Sequence, residues 1–160
     1  MARNNELYLR FVSDTGSTSQ WLDAYERYGM FFTQTSLSKL MTPAPNKAAI
    51  ENKSRRKDGK SVVRKSIYTK KDDRDVDLEM HITAPSESEF WRRYDLFCTE
   101  ILDRGFFDIC TKFCPTKVFR MTYLSCTQFS EFVQQLGKFT LRLNEPDPSD
   151  RDFGTSSTPW

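Results

Sequence analysis

From Asp75 to Thr83 the chain alternates without a break: Val76, Leu78, Met80 and Ile82 are apolar, and Asp75, Asp77, Glu79, His81 and Thr83 between them are polar. A period of two places all four apolar side chains on one face of a strand and leaves the other face in water. That pattern suits an antiparallel or sandwich sheet and does not suit a doubly wound parallel sheet, whose strands are apolar on both faces. Pro85 then ends the strand, and Ser86 with Glu89 forms the S-x-x-E signature of a helix start. Phe90, Tyr94, Phe97 and Ile101 follow at helical spacing, Trp91, Cys98 and Leu102 widen the stripe, and Gly105 is a natural stop, so a helix is predicted over 86–104 with one face docked on a core.

The remaining strand signals agree with this frame. Glu6–Val12 is short, apolar and aromatic and runs into the turn 13–17; Phe106–Cys114 and Lys117–Ser125 are two further strands around Cys114-Pro115-Thr116; Lys138–Asn144 alternates as a closing strand. Trp21, Tyr25 and Tyr28 allow a short helix before Gly29, and a strand fits that segment equally well. Pro43 and Pro45 favour an extended segment, Phe129–Leu136 reads either way, and residues 151–160 read as a flexible C-terminal tail. The expectation is a mainly β domain over 1–150, a β-sandwich or barrel of six to eight strands with one flanking helix. Thirteen Phe and six Tyr in 160 residues lean the same way, since aromatic side chains suit pleated, half-buried surfaces.

Charge is the second constraint. The total is +2, but between Lys47 and Lys71 there are ten Lys or Arg and two acids, a local +8, while the rest of the chain carries −6. The segment is Lys47, Lys53, Arg55, Arg56, Lys57, Lys60, Arg64, Lys65, Lys70 and Lys71, with Asp58-Gly59 as a turn, inside a long excursion over about 43–73 that holds a hairpin. One reading is a protein-interface arm that meets an acidic surface, and the acidic body of a second copy is such a surface. Another is a solvated loop. A third is a nucleic-acid-binding β-domain using 47–71, although no aromatic residue lies between Asn46 and Ile67 to stack on bases.

Little in the sequence favours an enzyme. The single histidine, His81, sits on the polar face of a regular strand, Asp72-Asp73 lies in a charged run facing water, and no nucleophile elbow, phosphate loop or dinucleotide fingerprint occurs. Cys98, Cys110, Cys114 and Cys126 could ligate zinc or pair in a disulfide, but they lack C-x-x-C spacing, and Cys110 and Cys114 share a parity in one extended segment. The N-terminus has no apolar leader and no stretch approaches a membrane span, so synthesis in a cytosol and free thiols are expected. No cofactor or metal is expected.

The order of features resembles a known family. Asp23-Ala24-Tyr25-Glu26-Arg27-Tyr28-Gly29 precedes Leu37-Ser38-Lys39-Leu40; Pro43, Pro45, Lys47 and the basic run to Asp58-Gly59-Lys60 follow; then come the strand 75–83, the aromatic helix 86–104, the strand 117–125 and Phe139-Thr140-Leu141-Arg142-Leu143-Asn144-Glu145-Pro146. Over Leu7 to Arg151 this is similar to the distal tail and tail-tube proteins of long-tailed phages, in the short form found in phages or prophages of gut Bacteroidales. The resemblance implies a tail-tube-like β-sandwich with one flanking helix, self-assembled as a hexameric ring in the tail tube or at the distal tail and baseplate junction. It implies a virion structural protein, assembled in the bacterial host cytoplasm, with further copies of itself and the tube, hub and tape-measure proteins as partners, no membrane, and DNA only in transit through the lumen. In that family a long loop between early strands reaches a neighbouring subunit or ring, and 43–73 matches it by order. Since such lumens are acidic, a +8 loop belongs at an interface, which makes Lys47, Lys53, Arg55, Arg56, Lys57, Lys60, Arg64 and Lys65 candidate oligomer-interface residues. Larger distal tail proteins also carry a carbohydrate-binding-like domain, for which 160 residues leave no room.

Overall fold

The structure is a computed structural model. It describes residues 7–13, 15, 17–49, 51–56, 58–65, 69–133, 136–153 and 158–159, with backbone only for 127–133. The elements run β1 (Leu7–Phe11), β2 (Leu22–Asp23), α1 (Ala24–Tyr28), β3 (Met30–Phe32), α2 (Gln34–Met41), β4 (Glu51–Lys53), β5 (Lys60–Val62), β6 (Arg74–Thr83), α3 (Glu87–Phe97) with a π turn over Cys98–Leu102, β7 (Phe106–Thr111), β8 (Cys114–Val133) and β9 (Leu136–Glu145). Seven strands form one curled antiparallel sheet in the order β2-β1-β7-β8-β9-β6-β3, and β4 and β5 form a separate hairpin. The fold is mainly β with one main helix, as the alternation and the capping signature predict.

Register explains the core. Val76 faces Leu143, Leu78 faces Leu141 and Met80 faces Phe139 across β6 and β9; Leu9 faces Ile109 across β1 and β7, and Ile109 faces Phe119 across β7 and β8. These side chains share one face of the sheet, and Tyr28, Phe90, Phe97 and Ile101 from the helices cover it, all fully buried. Each large side chain so covered contributes about 1.5–3 kcal/mol, and together they hold the helices to the sheet.

Several local outcomes differ from expectation. Both readings of the Trp21–Phe32 segment hold in part: Asp23 accepts from the Tyr25 and Glu26 amides and starts α1, and β3 follows directly. Gln34–Met41 is helical, capped by Thr33 and stopped at Thr42 before Pro43. Only half of the capping box forms, because Ser86 Oγ accepts the Glu89 amide while the Glu89 carboxylate turns to Arg92 and Arg93. The turn after β7 comes at Lys112-Phe113, so Thr111 pairs with Cys114, and β8 is one long bulged strand through the segment that read either way. Cys110 and Cys114 are therefore on opposite limbs of a hairpin, both buried. The first tail residues dock on the body: the Val118 amide donates to Arg151 O at 2.7 Å, and Phe153 packs edge-on against Trp21.

α2 also closes part of a sheet edge. Ser36 Oγ donates to Glu79 O and accepts from Glu79 N, both at 2.7 Å, taking the place of a neighbouring strand. Ser36 is fully buried. Ser36→Ala removes the partner of the Glu79 amide and leaves the Glu79 carbonyl only the Thr33 amide at 3.3 Å, and a loss of about 1–3 kcal/mol is expected by urea denaturation, with the fold retained.

Candidate assembly surface

The basic segment is an arm. Its root is fixed by main-chain bonds, Lys47 N to Lys70 O and Asp72 N to Pro45 O, both 2.8 Å, and by Lys71 Nζ donating to Asn46 Oδ1 at 3.0 Å. Beyond the root, Glu51 pairs with Val62, Asn52 with Ser61 and Lys53 with Lys60, and every described residue of 51–65 is exposed. From root to tip, ten residues of extended chain reach about 33 Å. The globular body has a radius of gyration of about 15 Å, so the arm is long enough to lie across a neighbour.

Among its described residues, nothing within the arm accounts for its order. Two-stranded hairpins without a buried face are marginal in water. The Lys60–Glu51 ion pair, at 2.6 Å, is exposed and is worth less than about 1 kcal/mol. Lys53 stands directly opposite Lys60, a like-charge pair that disfavours the closed hairpin. Val62 and Val63 are apolar yet exposed, at 37% and 42%.

The anchor, by contrast, is rigid. Arg74 opens β6 immediately after the arm returns, and it is buried. Its guanidinium bonds Glu145 at 2.6 Å and caps the end of α2 through the carbonyls of Leu40 at 3.1 Å and Thr42 at 2.6 Å. Arg151 meets the same carboxylate at 2.6 and 2.9 Å, and both guanidiniums lie over the Phe119 ring. Beside this anchor the solvent face of β6 is acidic. Arg142 of β9 pairs with Asp75 at 3.2 Å and with Asp77 at 3.6 Å, Lys138 pairs with Glu79 at 3.2 Å, and Asn144 Nδ2 donates to Asp73 at 2.8 Å. That bond is the main cause that holds the Asp73 carboxyl below the usual carboxylate range.

Next to this face lie two adjoining grooves with Thr42 as their common wall. One runs along β6 between Pro43, Pro45 and Asp73–Asp77, with Lys39 on its rim; the other is apolar, formed by Leu37 and Met41 of α2 and by Phe113 of the β7–β8 turn. Met41 is 54% exposed and Phe113 62%.

No protein-family model and no curated protein sequence matches the chain. Solved structures do. The Dit protein of phage SPP1, described as a paradigm of the hub adsorption apparatus in phages that infect Gram-positive bacteria, superposes with a TM-score of 0.54 at 12% identity, over 89% of this chain and 50% of its own. A chain of the phage p2 baseplate, in its activated conformation with Sr, gives 0.53 at 11% identity, over 92% of this chain and 45% of its own. The fold is of the phage tail type. The chain spans about half the length of these solved chains.

On this tail-type fold the expected interface residues are spread along the arm. Lys47 is at the root, Lys53 and Lys60 face each other, Arg55 and Arg56 form the tip, and Arg64 and Lys65 lie on the returning chain. Lys57 lies outside the described residues. The acidic groove, the apolar groove and the Arg74–Glu145–Arg151 anchor were not foreseen.

Chemistry elsewhere is quiet. Among the described residues no three or more His, Cys, Asp or Glu side chains converge as metal ligands, and no helix is long and apolar enough to cross a membrane. Cys110 is fully buried behind Arg10 and Asp108, and burial pushes its thiol up to about 12. Burial likewise raises Cys98 and Tyr28. A thiol held protonated in the fold but ionising near 9.0 when unfolded stabilises fully below pH 9, and that contribution is lost as pH rises towards 12. The urea midpoint is expected to hold between pH 7 and 9 and to fall by pH 11, with a shallower fall in Cys110→Ala.

Proposed function

We propose that this chain is a structural virion protein of a long-tailed phage, forming a closed ring of six copies in the tail tube or at the distal tail and baseplate junction.

 The observation that carries the reading is the pairing of a phage tail-type fold with a basic arm whose described residues over 51–65 are all exposed. Each copy offers an arm to one neighbour and an acidic body to the other, and a heterologous contact of this kind closes into a ring when its rotation permits. A site placed at the interface keeps the cationic arm out of the lumen, where DNA passes in transit. The other tail proteins (tube, hub and tape measure) stack above and below, and assembly takes place in the host cytoplasm before the protein enters the virion.

Electron microscopy of the purified chain tests this, and rings with an open centre are expected. Reversing the arm's charge with Arg55→Glu, Arg56→Glu and Lys60→Glu together is expected to weaken self-association at least tenfold while leaving the circular-dichroism spectrum unchanged, because all three side chains are exposed. Assembly that is indifferent to this triple substitution would count against the arm as an interface. The exposure of Arg55 and Arg56 also favours a second reading, a nucleic-acid-binding β-domain. That reading requires salt-dependent binding of DNA or RNA that the same triple variant loses.

A further inference from the structure

The arm needs a receptor, and the body offers a surface matched to it in two respects. Val62, which ends β5, and Val63 after it are exposed apolar side chains on a returning limb that also carries Lys60, Arg64 and Lys65. The body presents an apolar groove at Leu37, Met41 and Phe113 and, sharing the Thr42 wall, a groove along the Asp73–Asp77 edge of β6.

That edge is open in a way the register reveals. A strand residue points its N–H and C=O to the same side, and the side alternates along the strand. Glu79 bonds Ser36 and Thr33, on the side away from β9, and Thr83 N bonds Gly29 O on that same side. Arg74 O, of the other parity, accepts from the side-chain amide of Asn144 on β9 at 3.4 Å. Asp75 and Asp77 share the parity of Glu79, so their main-chain groups point outward into the groove, beyond the reach of Ser36. Their carbonyls and the carboxylates beside them are acceptors, which lysine and arginine donors satisfy.

We infer that the two grooves flanking Thr42 are the receptor for the arm of a second copy of this chain, with Val62 and Val63 on Leu37, Met41 and Phe113 and the arm's cations along Asp73, Asp75 and Asp77. The inference rests on the self-assembly reading above and adds the acceptor face to it. The chain's own arm does not fill the site, because Pro43 and Pro45, which lead into that arm, form the wall of the groove, and the root bonds at Asn46, Lys47 and Asp72 hold the arm's departure.

Complementation between two full-length variants tests it. The acceptor variant is Met41→Lys with Phe113→Lys, and the donor variant is Val62→Asp with Val63→Asp; all four positions are exposed, so both variants keep the fold. Each variant alone is expected to lose self-association at least tenfold and to run as an 18.8 kDa chain. Mixed in equal amounts, they retain one sound arm and one sound groove between them, and a two-chain species is expected. An acceptor variant that assembles as the wild type does, or a mixture that stays at the mass of one chain, would overturn the inference while leaving the ring reading intact. A wild-type chain that never associates would instead overturn the self-assembly reading and this inference with it.

Discussion

Glu145→Ala is expected to lower the unfolding free energy by about 3–5 kcal/mol, the cost of leaving buried charge without its partner. Glu145 is fully buried and receives Arg74 at 2.6 Å and Arg151 at 2.6 and 2.9 Å. Removing the carboxylate strands two guanidiniums, one of which also caps α2 at the point where the chain returns from the arm into β6. The substitution is therefore expected to loosen the arm's root as well as the body, read as faster amide exchange at Lys47 and Asp72. Urea denaturation followed by circular dichroism checks the magnitude, and a loss below about 1 kcal/mol would contradict the role given to the anchor.

Gly29→Ala is expected to cost about 3 kcal/mol or more, combining left-handed backbone strain with a backbone collision. Gly29 ends α1 at φ 65°, and an added Cβ would stand 2.1 Å from Thr83 O and 2.5 Å from the Arg93 guanidinium. Relief requires breaking the 2.9 Å bond from Thr83 N to Gly29 O or the 2.8 Å bond from Arg93 to Thr83 O, which together join α1, β6 and α3. Gly105 supplies the control. It also has a positive φ, 78°, but nothing lies within 4 Å of its added Cβ, so Gly105→Ala is expected to cost only the conformational strain of about 1–2 kcal/mol. Equal losses at the two positions would show that the close approach at Gly29 does not matter.

Much of the fold was legible because its strands are amphipathic. The alternation of 75–83 and 138–144 gives two neighbouring strands, β6 and β9, and their buried face, and the aromatic spacing of 86–104 gives the helix that covers them. α2 was missed because the prolines after it drew attention to the extended segment they enforce, while Leu37, Leu40 and Met41 form too short a stripe to stand out. The hairpin turn at Lys112-Phe113 carries neither Gly nor Pro, so the nearby Pro115 was the stronger signal. The basic arm was visible as charge, but its receptor was not, since Met41, Phe113 and Asp75 are brought together only by the fold. The anchor did leave a trace. Arg74 is in phase with Val76 and Glu145 with Leu143, so two opposite charges sit on the apolar side of neighbouring strands, and such a pair is expected to be buried together.

Self-assembly through the arm is tested most directly by the solution mass of the wild-type chain, measured by light scattering after size exclusion at low and at high salt. A mass near six times 18.8 kDa at low salt, falling as salt screens the arm from its acidic receptor, is the predicted result. A single 18.8 kDa species at both salt concentrations, unchanged up to the highest protein concentration reached, would contradict it.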